Sequence, residues 1–224
     1  MPTPFDQMLA SAVLEMTGEA SVPATLERVV ALVLDTVESC DAAAVLLFDR
    51  TPVTVVASDE SLRELVAEHV QRESAPAWTA RTHQEPVYSG NLARDFRWPT
   101  LGEELSGRLG IHSVYALPLT LTHQSLGVLV AYGKAVDAFD AEDQETARIL
   151  AMHATAVLAD AIQQRHLQTA LDSRTVIGQA TGIVMERFGL DASAAFGVLR
   201  RLSQTENVKL RDVAAKVVET GRVG

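Results

Sequence analysis

Apolar residues recur at helical spacing from Val22, with Leu26, Val29, Val30, Val33, Leu34 and Val37 following at i+4, i+7, i+8, i+11, i+12 and i+15. That stripe predicts an amphipathic helix laid on a core. Ser21 stands where an N-cap belongs, and Pro23 suits the first turn. The texture changes at Ala42. Ala42 to Phe48 is a short apolar run, Asp49 to Pro52 reads as a turn, and Val53 to Ala57 is β-branched, so the pattern predicts a strand pair. Ser61 to Glu73 is helical again, with Leu62, Leu65, Val66 and Val70 on one side. Between Ala75 and Gly110 the periodicity weakens. Pro86-Val87-Tyr88 reads as a short strand and Asn91 to Thr100 as a loop. Ser113 to Leu121, a turn at Thr122 to Gln124, and Ser125 to Tyr132 predict a second hairpin, with Pro118 marking an edge or a bulge. Asp140 and Glu142 open a long helical run to about Ser173. Around Ile149, Leu150, Met152, Ala154, Val157, Leu158, Ala161 and Ile162 that run is apolar on nearly every face, which predicts burial against its own sheet and against a second chain.

The last fifty residues read as three short helices. Ile177, Ala180, Val184 and Phe188 line the first, ending at Gly189 in a left-handed C-terminal position. Asp191 caps the second, where Ala195, Phe196, Leu199 and Leu202 form the inner stripe. Asn207 is placed as the cap of the third, whose stripe is Leu210, Val213, Ala214 and Val217. Phe188 and Phe196 are assigned to the core of this bundle, so no base stacking on aromatic rings is expected, and Gly182 is read as a packing glycine. The order predicts an α+β chain. An antiparallel sheet with helices on one face is followed by a long connecting helix and a C-terminal three-helix bundle. The boundary falls at 164/165, giving domains 1–164 and 165–224.

Charge separates the same two parts. The 224 residues carry a net charge of −10, yet residues 1–164 hold 10 Lys+Arg against 23 Asp+Glu, and residues 165–224 hold 9 against 6. An acidic body of net −13 and a tail of net +3 suggest different partners. Hydrophobic residues make up 47% of the chain, enough for a core without staples, which excludes disordered and low-complexity classes. A single cysteine, Cys40, excludes a disulfide framework and any multi-cysteine metal site. No apolar run reaches a membrane span, and the opening MPTPFDQMLA lacks the charged-then-apolar form of a secretory signal. The expectation is a soluble cytoplasmic protein.

The parts needed for catalysis are missing. There is no GxxxxGK[ST], GxGxxG, HExxH or GxSxG. The six histidines, His69, His83, His112, His123, His153 and His166, show no metal spacing, and Cys40 reads as a small buried hydrophobe. No metal and no resident cofactor are expected, and the chain is read as a non-enzyme.

The segment Ser173 to Ala214 carries Ile177-x-x-Ala180-x-Gly182-x-x-Met185, Ala195-Phe196-x-x-Leu199-Arg200 and Leu210-x-x-Val213-Ala214. These three linked motifs resemble the ANTAR domain, an RNA-binding antitermination module. Many members carry Lys where this chain has Thr181. Residues from about Val22 to Ile162 resemble a GAF domain, a signal-sensing α+β module. The segments that carry this likeness are Asp95-Phe96-Arg97-Trp98-Pro99, Ser113 to Leu119 and Leu126-Gly127-Val128. No Asn-Lys pair exists in the chain, which disfavours the cyclic-nucleotide-binding branch.

The resemblance implies a GAF–ANTAR transcription antitermination regulator. Such proteins dimerise, bind paired RNA hairpins in a leader transcript and prevent terminator formation. The residues expected at RNA are Gln179, Thr181, Arg200, Arg201, Ser203, Asn207, Lys209 and Arg211, since basic side chains seek phosphate and polar ones meet exposed bases. An unidentified small-molecule ligand would sit between the sheet and the segment from Trp78 to Leu109, lined by Trp78, Tyr88, Phe96, Trp98 and Tyr115. The partners expected are leader RNA and a second copy of the chain through the long helix, with no membrane and no DNA. Two other readings compete. One is a protein–protein signalling module whose helical tail docks a protein partner. The other is a small-molecule reductase using Cys40.

Overall fold

A computed structural model describes residues 21–48, 53–122 and 124–222. The chain divides into two units, 1–162 and 163–224. In the first, helix α1 (Val22–Thr36) begins where the Ser21 hydroxyl accepts the Ala24 N–H, with Pro23 in the first turn. Strands β1 (Ala42–Leu47) and β2 (Thr54–Ala57) pair antiparallel, Val45 opposite Val56. The expected turn at Asp49 to Pro52 lies outside the described residues, as does His123. Helix α2 (Glu60–Gln71) starts at Asp59, whose carboxylate accepts the Leu62 N–H at 2.9 Å. Strands β3 (Val87–Ser89), β4 (Ser113–Leu121) and β5 (Gln124–Gly133) complete an antiparallel sheet of order β2-β1-β5-β4-β3.

The sheet is covered on both faces, where the sequence pattern predicted one. Ala43, Val45 and Leu47 of β1 face α1 and the long helix. Ala44 and Leu46 face α2 and two helices that the pattern did not predict. These are α3 (Pro76–His83) and α4 (Pro99–Leu109), both opened by a proline. The expected loop at Asn91 to Thr100 is correspondingly shorter. It holds a 3-10 turn at Leu92–Arg94 and ends where α4 begins. These helices bury only narrow stripes, Ala77 and Ala80 in α3 and Leu101 and Leu105 in α4, too sparse for periodicity to reveal.

Pro118 sits two residues beyond Ala116, the last β4 residue paired to β3, so it breaks no ladder on that side. A register irregularity follows between Leu119 and Thr120. Both of the alternatives expected for Pro118, edge and bulge, therefore meet within three residues.

The helix α5 runs unbroken from Ala141 to Phe188, 48 residues. Asp140 opens it, its carboxylate accepting the N–H groups of Glu142 and Asp143 at 2.9 Å each. The sequence reading ended this helix near Ser173 and began another at Ile177. The structure joins them, because nothing in Ser173-Arg174-Thr175 stops a helix. The hydroxyls of Thr169, Ser173 and Thr175 donate back to the carbonyls of Arg165, Leu171 and Thr169 in the preceding turn, so their polarity is absorbed inside the helix.

In the second unit, α6 (Ala192–Glu206) is capped by Asp191, whose carboxylate accepts the Ala194 N–H at 2.8 Å. Helix α7 (Leu210–Thr220) follows. Ala180, Val184, Ala195, Leu199, Val213, Ala214 and Val217 form the core. Phe188 and Phe196 are not in it, contrary to expectation, and both are exposed. The core closes on small and aliphatic side chains and leaves no room for a ring. Gly182 meets no neighbour within 4 Å, so it is not a packing glycine within this chain.

Two glycines of α4 give a matched test of the unexpected packing. A Cβ on Gly102 would lie 2.1 Å from the Leu92 carbonyl oxygen, whereas a Cβ on Gly107 meets nothing within 4 Å. Gly102→Ala is expected to destabilise the first unit by about 1–3 kcal/mol in urea unfolding. Gly107→Ala should be neutral or stabilising by up to ~1 kcal/mol. Equal effects would contradict the contact of α4 with the 3-10 turn.

Candidate nucleic-acid interface and sensor cavities

Helical spacing sorts the expected RNA contacts by face. On α5, Gln179 and Thr181 flank the buried Ala180 on opposite sides. Gln179 is exposed, while Thr181 is half-buried and donates its hydroxyl to the Ile177 carbonyl at 2.7 Å. Its oxygen remains free to accept. On α6, Arg200 and Arg201 are both exposed, but one residue is about 100° of helix, so they leave on different sides of the Leu199 stripe. Neither forms an ion pair among the described residues, and Lys209 is also unpaired and exposed. Arg211 is shared with Asp212, Nε to carboxylate 3.1 Å.

Two of the eight have structural duties. Ser203 donates its hydroxyl to the Val208 carbonyl at 2.6 Å and so ties the α6–α7 connection. Asn207 ends α6 rather than beginning α7. It adopts φ 53°, ψ 39°, and its N–H donates to the Ser203 carbonyl. Asparagine tolerates this left-handed conformation better than most residues, which is why a polar residue expected to cap the next helix serves the previous one. Lys209 occupies the start of α7 instead, without a side-chain cap. The guanidinium of Arg187 donates to the Gly221 carbonyl and fastens the end of α7 to α5.

The five aromatics expected around one ligand do not meet in one cavity. Tyr115 is buried on the α1/α5 face of the sheet, stacked edge-on with Tyr88 at 6.2 Å and accepting a hydrogen bond from Arg148 at 2.8 Å. Trp98 is buried on the opposite face, beneath the Arg97 guanidinium at 4.2 Å. Trp78 packs on Phe48, with Arg81 over both rings. Phe96 stands 96% exposed. Its loop is fixed by Arg97, which grips the Asp95 carboxylate through Nε and a terminal nitrogen at 2.9 and 2.7 Å. That grip holds the Asp95 carboxyl down at about 2. Of the five, only Tyr88 and Phe96 share a depression, about 440 Å³, with Asn91 and Arg94.

A second cavity of about 400 Å³ lies where β4 has lost its neighbour. Leu117, Pro118 and Leu121 form one wall, and Arg148, Met152 and Thr155 of α5 form the other. Sequence reasoning did not identify it, although Pro118 and the surplus apolar surface of α5 were its two signals. Cys40 is buried and donates its thiol to the Ala42 carbonyl at 3.1 Å. Burial pushes its pKa from 9.0 up to about 11, so the nucleophilic thiolate is scarce at neutral pH. Among the described residues no group of three His, Cys, Asp or Glu side chains could hold a metal, and no helix is long and apolar enough to cross a membrane.

An antiparallel sheet clothed by helices on both faces, tied by one helix to a small basic helical unit, defines a two-domain regulatory protein. The chain belongs to the GAF family. A GAF domain model matches residues 19–159, and an ANTAR domain model matches residues 165–218. At the family level this pairing is a signal-sensing, RNA-binding regulator of transcription antitermination. No curated protein matches the chain at a significant level. Similar solved structures include the GAF domain of an Acinetobacter phosphoenolpyruvate-protein phosphotransferase, 21% identical over 70% of this chain and 93% of that one, with a TM-score of 0.56. Another is the free methionine-R-sulfoxide reductase of Neisseria meningitidis in complex with its substrate, 14% identical over 71% and 90%, with a TM-score of 0.52. These likenesses establish the fold alone.

Two outcomes check the local assignments. Asn207→Gly should unfold within roughly 0.5 kcal/mol of the parent, whereas Asn207→Ala should lose about 1 kcal/mol, because Ala resists positive φ. Alkylation of Cys40 at pH 8 should proceed no faster than global unfolding. The folded pKa lies above the unfolded one, so the stability contributed by the neutral thiol is intact below pH 9.0 and falls as pH rises from there towards 11.

Proposed function

We propose that this protein is a ligand-controlled RNA-binding antiterminator of the cytoplasm, whose GAF unit governs engagement of paired leader hairpins by the ANTAR unit. The observation that carries the reading is the tandem of the two domain types on one uninterrupted helix. A homodimer through α5 belongs to it. Leu167 and Leu171, four residues apart and each 60% exposed, form an apolar pair that a second copy would cover. A ligand in the GAF unit would alter the rotation or spacing of the two helices, and it can do so only by binding the two states with different affinity.

RNA contact is assigned to Gln179, Thr181, Arg200, Arg201, Ser203, Asn207, Lys209 and Arg211. Ligand-site roles for Trp78, Tyr88, Phe96, Trp98 and Tyr115 are divided between the depression at Tyr88 and Phe96 and the packed aromatics behind it. The protein acts without catalysis, since its one cysteine is neutral and buried. DNA and membrane are not its partners.

Selection by the full chain from a library of tandem stem–loops with randomised loops tests this reading. It should enrich two adjacent hairpins sharing a loop sequence. The affinity should fall with salt at a log–log slope of about −0.7 for each single-strand phosphate contact. Arg200→Ala should weaken binding by about tenfold while leaving helicity unchanged, since the side chain is exposed. No enrichment, with or without residues 165–224 fused to a constitutive dimeriser, would favour a protein partner for the tail.

A further inference from the structure

We propose that Phe196 is a stacking platform for one unpaired RNA base, with Arg200 holding the adjacent phosphate. The inference rests on the RNA-binding reading above and assigns a site within it. Phe196 follows the buried Ala195 in a motif that reads as core, yet it is 40% exposed. The core beside it, built on Ala195, Leu199 and Val184, closes without the ring. A phenylalanine left at the rim of a complete core presents a flat apolar face to water at a fixed position, because the helix that carries it is capped at both ends.

Its neighbours decide what such a face would receive. Arg200 is four residues on and Ser203 seven, so both lie on the same flank of α6 as the ring, and Asn207 ends the helix below them. Arg200 is exposed and has no ion pair among the described residues. The Ser203 hydroxyl is already donated to the Val208 carbonyl, which leaves it an acceptor. Arg201 departs on another side and is not part of this flank. A surface meant for another helix would surround the ring with aliphatic side chains. This one surrounds it with a free cation, a hydroxyl and an amide. That set matches a nucleotide, its base on the ring and its phosphate on the guanidinium. Charge complementarity points the same way, since residues 165–224 carry net +3 in a chain of net −10. Stacking tolerates any base, so Phe196 contributes affinity for an unstacked loop rather than the choice of sequence.

The test uses the full chain and an RNA recovered from the tandem stem–loop library. Phe196→Leu keeps the apolar volume and helix propensity and removes the aromatic face. It should weaken binding tenfold or more, within the range of about 5- to 150-fold that loss of one stacked base implies. Phe196→Trp should bind within about threefold of the parent. In the unaltered protein, 2-aminopurine placed at each loop position in turn should report one base whose fluorescence changes strongly on binding. The proposal is overturned if Phe196→Leu binds as the parent does, or if Trp weakens binding as much as Leu. It is also overturned if no loop position responds to the unaltered protein, a result independent of how any variant folds. A fall in the mass of the RNA-free protein on Phe196→Leu would make Phe196 a subunit contact and overturn it likewise. Failure of the unaltered chain to enrich any RNA would remove the RNA reading itself. Enrichment with an indifferent Phe196 would remove this inference alone.

Discussion

Continuity of one helix is the constraint on which the two units depend. Ala147, Leu150, Ala154 and Leu158 of α5 belong to the first core, and Ala180 and Val184 belong to the second. Between them, residues 163–175 lie outside both apolar cores. A helical segment with little tertiary cover is only marginally stable by itself. Here it is flanked by packed turns on both sides, so propagation replaces nucleation. The hydroxyls of Thr169, Ser173 and Thr175 bond within the helix rather than competing with it. A continuous helix fixes rise and rotation per residue, which makes it a suitable carrier of a rotation from a ligand-binding unit to an RNA-binding one.

The doubly covered sheet sets the limits of the sensor unit. Both faces are filled, so a ligand has no room between sheet and helices without displacing side chains. What space exists is peripheral. One depression lies by the rigid Asp95–Arg97 loop, and one groove lies where β4 runs past the end of β3. Aromatic residues that look like one lining in the sequence are divided by the sheet between its two faces.

Strong periodicity was legible residue by residue. The stripes of α1 and α2, both hairpin pairs, the Asp191 cap and the left-handed Gly189 all follow from spacing and turn chemistry. The second covered face was also legible in principle. Ala42 to Leu47 is apolar without alternation, the mark of a strand buried on both sides, and β1 is buried throughout. The helices that bury it escaped because α3 and α4 present few apolar residues, in a stretch whose prolines suggested loop. The break placed at Ser173 failed for a related reason, since hydroxyl residues that favour turns can also bond back into their own helix. Within the candidate RNA surface, charge was legible and exposure was not. Arg200 and Arg201 are adjacent in sequence yet diverge in space, Asn207 took a conformational duty, and Phe196 sits one residue from a core position while facing water.

Amide hydrogen exchange across residues 163–175 of the full chain tests the continuity of α5 most directly. The account predicts protection within about tenfold of that in the flanking turns packed at Leu158 and Val184. Exchange at the rate of an unstructured peptide, with both cores still protected, would show two domains on a loose tether and contradict it.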